Sequence, residues 1–201
     1  MSINVCNDRS MASITSLPSG VSGSSLVLLE TQTASSSSTI SFTSNIDSTY
    51  KEYIFKYTDI HSSASDAHFS FQVETGTNSD YNQTITSTLF YSNHTEDNSE
   101  AANTYSAGSD LAQSTNFQRL ALSLGTDNDQ CCAGELHLFD PSSTTFVKHF
   151  IGTSNSYTHD DNSRNSFAAG YINDTTAITR VQFKFSSGNI DSGTIKMYGV
   201  V

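Results

Sequence analysis

Residues 180–185, RVQFKF, alternate polar and apolar side chains without a break. Successive side chains of a strand point to opposite faces, so Val181, Phe183 and Phe185 line one face and Arg180, Gln182 and Lys184 the other. The next stretch, residues 186–193, is SSGNIDSG, dense in turn formers: Gly188 and Gly193 accept positive φ, and Asn189 and Asp191 bond their own backbone. Alternation then resumes, with Ile195 and Met197 on one face and Lys196 on the other. The pattern predicts two strands and a turn, a closing hairpin tied into the middle of a sheet.

The same period recurs upstream. Residues 50–60 form the longest expected strand, with Tyr53, Phe55 and Tyr57 on one face, and residues 68–73 put Phe69, Phe71 and Val73 inward. Residues 26–29, LVLL, read as a buried strand that starts the domain. Residues 39–42, 84–91, 134–139, 145–151, 166–172 and 178–185 complete the set. Residues 117–124 read as a strand through Leu120, Leu122 and Leu124, with a short helix over 111–120 as the alternative. The polar stretch 92–110 is the longest expected loop, and Asp140-Pro141 signals a tight turn between two strands. Ten to twelve regularly spaced strands predict an all-β fold: an antiparallel β-sandwich, jelly-roll-like, over residues 26–201. Residues 1–25 differ, being rich in Ser, Gly and Asn, and read as an N-terminal extension: a flexible arm or a docking arm.

Charge and cysteine usage narrow the function classes. The net charge is −11 and only 14% of residues are charged, so surface polarity rests on Ser, Thr and Asn. Nucleic-acid binding needs clustered Lys and Arg, and the nine basic residues here are scattered, so no nucleic-acid partner is expected. No apolar run is long enough to span a bilayer and no secretory leader is visible, so synthesis in a cytoplasm and no membrane partner are expected. Cys6, Cys131 and Cys132 form no CxxC pair, and the six histidines match no metal-ligand spacing. Asp127-Asn128-Asp129 opens like a calcium loop but places Cys131 and Cys132 where such a loop needs other residues. Residues 159–162, HDDN, are a second oxygen-rich loop. No cofactor, metal or catalytic constellation is expected, and the chain does not read as an enzyme.

The remaining candidates are tyrosines at predicted loops and strand ends: Tyr81, Tyr91, Tyr105, Tyr157 and Tyr171. Exposed, they would stack on sugars or join subunits; half-buried, they would be ordinary strand residues. The sequence leaves both readings open.

Five stretches carry a resemblance: SSTISFTSNIDSTYKEYIFKYTDIH (37–61), NQTITSTLFYSNHTED (82–97), LFDPSSTTFVKHF (138–150), AGYINDTTAITRVQFKFSSG (169–188) and the ending SSGNIDSGTIKMYGV. Together they resemble a family of marine tailed-bacteriophage virion proteins, podovirus- or cyanophage-like, found alone or as the last domain of tail-fibre chains. The resemblance implies a structural protein on the virion surface. A capsid decoration or cement protein, knob-like, is the first expectation, because the chain has no long fibre-forming segment. A tail-fibre or receptor-binding tip that recognises host-surface polysaccharide is the alternative. The implied partners are the major capsid protein or tail components and further copies of the chain, a trimer among the options.

Overall fold

The computed structural model describes residues 25–201. The expected arm, residues 1–25, lies outside them except for Ser25. The described chain forms twelve strands: β1 (Leu26–Thr33), β2 (Ile40–Phe42), β3 (Glu52–Ser62), β4 (Ala67–Thr75), β5 (Ile85–Thr95), β6 (Ala101–Tyr105), β7 (Gln118–Leu124), β8 (Cys132–Phe139), β9 (Lys148–Tyr157), β10 (Asn162–Ile172), β11 (Ile178–Phe185) and β12 (Ile190–Val200). They build an eight-stranded sheet, ordered β1-β12-β3-β8-β9-β10-β5-β6, and a four-stranded sheet, ordered β2-β11-β4-β7. Every pairing is antiparallel. The chain is an all-β sandwich.

The pairings nest. β1 lies on β12 and β2 on β11; inside them β3 lies on β8 and β4 on β7. Successive nested pairs alternate between the two sheets, which is the connectivity of a jelly roll. Two hairpins are inserted into it. β5–β6 comes between β4 and β7, β9–β10 comes between β8 and β11, and both extend the long sheet past β8.

The core sits between the sheets on the jelly-roll side. Tyr53, Phe55 and Tyr57 of β3 face Phe69 and Phe71 of β4 and Phe183 of β11, all fully buried. Phe183 is the hub: its ring centroid lies 6.2 Å from Phe42, 5.6 Å from Phe55 and 5.7 Å from Phe69. Ile195 and Met197 of β12 complete the inner face.

Four expectations change. The closing strands do not form a hairpin: β11 belongs to the short sheet and β12 to the long one. Their apolar faces meet across the sandwich rather than side by side, with Phe183 and Met197 both fully buried between the layers. The turn is also shorter than expected. Gly188 (φ 69°) is in the crossover, but Gly193 (φ 121°) sits inside β12 at a register shift, where a Cβ would come within 2.6 Å of the Asp59 carbonyl oxygen. β1 is a half-buried edge strand, with Leu28 52% exposed, not a buried one. The stretch 92–110 is not one loop: β5 runs on to Thr95 and β6 pairs back on it around a turn at Asn98 (φ 59°). Those residues are polar because they lie at the rim of the long sheet, where a strand needs no core-facing pattern. Residues 118–124 are strand, with Leu120, Leu122 and Leu124 buried, and the helical alternative for 111–120 is not adopted.

The Asp140-Pro141 turn forms as expected, closed by the Ser143 N–H donating to the Asp140 carbonyl at 3.0 Å.

Candidate functional site

In β9 and β10 the usual sense of a half-buried sheet is partly reversed. Their inner residues include Ser154, Ser156, Asn162 and Ser166, all at least nine-tenths buried. Their outward residues include Ile151, 50% exposed, and the half-buried Phe167 and Tyr171. The cause lies in pairs such as Phe150-Ile151 and Leu89-Phe90. Two consecutive apolar residues in a strand cannot both face inward, so Phe150 and Leu89 enter the core while Ile151 and Phe90 are turned to solvent.

Register aligns these outward residues into rows. Tyr105, Phe90, Phe167 and Thr153 lie side by side on β6, β5, β10 and β9. The Phe90 and Phe167 rings stack with centroids 5.0 Å apart. The next row runs Thr88, Ala169, Ile151, His137 and Ile54, and a third places Thr86 beside Tyr171 and His149. Between the second and third rows is a groove of about 530 Å³, floored by Ala169 and Gly170 and walled by Phe139, His149, Ile151 and Tyr171. The His149 and Tyr171 rings are 6.1 Å apart.

One border of the apolar rows is an ion network. The two ring nitrogens of His137 face Glu52 at 2.5 Å and Glu135 at 3.2 Å, and Lys56 lies 3.3 Å from Glu135. The hydrogen bond from His137, joined by Lys56 and opposed by partial burial, holds the Glu135 carboxyl below the usual carboxylate range.

The candidate tyrosines are not one cluster. Tyr81 is buried, against its expected role as an exposed contact: its backbone N–H donates to Glu74 Oε2 at 2.8 Å, which gives the buried Glu74 carboxylate a partner. Tyr91 points inward, packs on the core and lies under the Arg164 guanidinium, 4.8 Å from ring centroid to Cζ. Tyr105, Tyr157 and Tyr171 lie on the outer face. Tyr105 donates to Asp110 Oδ2 at 2.6 Å, and that bond raises its phenol pKa. Desolvation, then the charges of Asp161 and Glu96, push the Tyr157 phenol up to about 12. Tyr171 alone lines the groove. Tyr157 is far from it along the sheet, at eight residues from the Tyr171 partner His149, roughly 26 Å at the rise of a strand. The groove residues Phe139, His149 and Ile151 escaped the sequence reading; the doublet Phe150-Ile151 was the signal that would have found one of them.

No known protein family, no curated protein and no solved structure matches this chain.

The oxygen-rich loops carry little further chemistry. Asp127 closes a turn, its carbonyl accepting the Gln130 N–H at 2.9 Å. Asp160 and Asp161 line a cavity with Glu96 and Asp97. Among the described residues no group of three or more His, Cys, Asp and Glu is placed to hold a metal ion. Cys132 is buried, and that burial raises its thiol pKa well above the ordinary value, which makes it a poor nucleophile.

Proposed function

We propose that the chain is a structural protein of a tailed-phage virion, displayed on the particle surface as a decoration protein that cements its neighbours. The observation that carries this reading is the outward apolar band of Tyr105, Phe90, Phe167, Ile151 and Phe139 on the extended half of the long sheet. A contiguous apolar patch with a polar border marks an interaction site more often than an idle surface. Hydroxyl-rich strands elsewhere keep the remaining surface inert, and the net charge of −11 disfavours casual self-association. The sandwich supports the reading only as an analogy of fold; the residues of the ending and of the four upstream stretches supply the family resemblance. The partners are then the major capsid protein or a tail component, and other copies of the chain.

Copy number per virion, measured by mass spectrometry against the major capsid protein, tests it. A fixed simple fraction of the capsid protein is the expected result; a count of only a few trimers' worth overturns decoration. The variant Phe90→Ser/Ile151→Ser is expected to fold normally and to be lost from particles; full incorporation would remove the apolar band from the argument.

The groove favours a second reading, a tail-fibre or receptor-binding tip for host polysaccharide. Tyr171, His149 and Phe139 give it ring faces for sugar C–H surfaces, and Thr86 and Thr88 give it hydroxyls. Binding of a neutral glucan that is lost in Tyr171→Ala is the result that would bring this reading forward.

A further inference from the structure

On the opposite side of the sandwich, the short sheet carries a row of a different kind. Register places Lys184 of β11 beside Ser70 of β4, and Ser70 beside Arg119 of β7, all on the face turned away from the core. Segment 108–117 folds over this row and leaves a cleft of about 200 Å³ lined by Lys184, Ser70, Arg119, Ser109, Asp110 and Phe117 among others. Arg119 Nη1 donates to Ser109 Oγ at 3.1 Å, and the Lys184 ammonium lies 3.9 Å above the Phe117 ring centroid. Neither cation forms an ion pair among the described residues, whereas Lys51 and Lys56 do. The one carboxylate in the lining, Asp110, accepts the Tyr105 hydroxyl. Two unpaired cations sharing one cleft is unexpected in a chain with 9 basic and 20 acidic residues. The local field agrees: burial first, then Arg119, with Arg164 and His159 adding and Asp66 opposing, lowers the pKa of the neighbouring His68.

We infer that this cleft binds the carboxylate or sulfate group of an acidic sugar residue. A guanidinium presents paired donors to either oxyanion, and an ammonium adds a mobile third donor. The buried hydroxyl-bearing residues Ser70 and Ser109, with Ser186 at the rim, match a hydroxylated ring, and Leu111, Phe117 and Phe185 match its C–H face. The cleft is smaller than sites for drug-sized ligands, so it takes one sugar unit and not a folded peptide segment. The overall charge of −11 opposes an anionic ligand, so binding is expected to be strongest where the two cations act together. The inference rests on the second functional reading only for the source of the sugar; the site stands on its own geometry.

The test is titration of the full chain at low salt with oligogalacturonate, sulfated dextran oligomers, neutral dextran oligomers and polyglutamate. Either acidic sugar is expected to bind, more weakly as salt rises, and Lys184→Gln and Arg119→Gln are each expected to lower its affinity tenfold or more. Lys184→Arg should retain binding. Should Arg119→Gln not fold, Lys184→Gln decides alone, since the Lys184 side chain rests on the rim ring of Phe117. No binding of either acidic sugar, tighter binding of polyglutamate, or unchanged acidic-sugar affinity in Lys184→Gln overturns the inference. Neutral-dextran binding that is lost in Tyr171→Ala and unchanged in Lys184→Gln belongs to the groove; acidic-sugar binding that responds to the two variants in the same way overturns the inference while leaving the groove reading intact.

Discussion

The two halves of the sandwich are built from the same alternating pattern and use it in opposite ways. In the jelly-roll half, inward positions carry aromatic rings: Tyr53, Phe55, Tyr57, Phe69, Phe71 and Phe183 are all fully buried. In the extension the inner face begins apolar, with Ile85, Leu89, Phe150 and Ile172, and turns polar toward Asn93, Ser154, Ser156, Asn162 and Ser166. The boundary runs through Tyr57, whose hydroxyl bonds Ser154. Three buried polar atoms, Asn162 Oδ1, Arg164 Nε and Ser166 Oγ, have no protein partner, and they lie at alternate positions of one strand, β10. Burying a hydroxyl or amide contributes little and costs free energy when it is unpaired. Stability is therefore concentrated in the jelly-roll half. The extension also turns Phe90, Ile151 and Phe167 to the outside, where they hold the fold less and are available to a partner more.

The largest expected effect is in the aromatic hub. Phe183→Ala should cost about 3–5 kcal/mol in denaturant unfolding, and a loss below about 1 kcal/mol would break the contrast between the halves. Lys148 marks the seam: fully buried, it donates from Nζ to the carbonyls of Asp174 at 3.0 Å and Thr176 at 2.5 Å. Lys148→Met leaves both carbonyls without that donor and should cost about 1–3 kcal/mol; no measurable loss would mean that water replaces the ammonium.

The ion network on the outer face gives a pH-dependent effect of smaller size. Glu135 has a lowered carboxyl pKa in the folded state, so its contribution is present above the ordinary carboxylate range and disappears as pH falls through the lowered value. Glu135→Gln should then be less stable than the parent near neutral pH and converge with it in acid. A constant offset across the acid limb of the stability profile would show that the effect is packing, not charge. The smallest effect belongs to the extension's interior. Ser166→Ala removes a buried hydroxyl without a protein partner and should change stability by no more than about 0.5 kcal/mol, with a gain as the favoured sign. A loss beyond about 1.5 kcal/mol would place a bridging water on that hydroxyl and make the polar interior cohesive. Hydrogen exchange sharpens the same comparison: amides of β5 and β6 should exchange before those of β3 and β12.

The strand set was legible wherever one face is buried. Residues 52–62, 67–75 and 178–185 carry their inward aromatics at every second position, and the structure buries those residues. At the sheet's rim the signal fails, because β6 (AANTY) is wetted on most of its surface and nothing forces its residues to alternate. The tyrosines show the same limit for sites. Tyr81 and Tyr171 both follow a residue common in turns, Asp80 and Gly170, yet one is buried over Glu74 and the other lines a groove.

By itself the sequence determined that the chain is an all-β sandwich, since a period-2 apolar pattern can be satisfied only by strands that share a covered face. It also determined where the aromatic core would come from. Which strand pairs with which was a tertiary decision: β11 and β12 are joined by a four-residue crossover, residues 186–189, and still part into different sheets. So was the meeting of Lys184, Ser70 and Arg119. Pairing and layer depend on which faces bury the most surface against each other across the whole chain, and no local spacing encodes that sum.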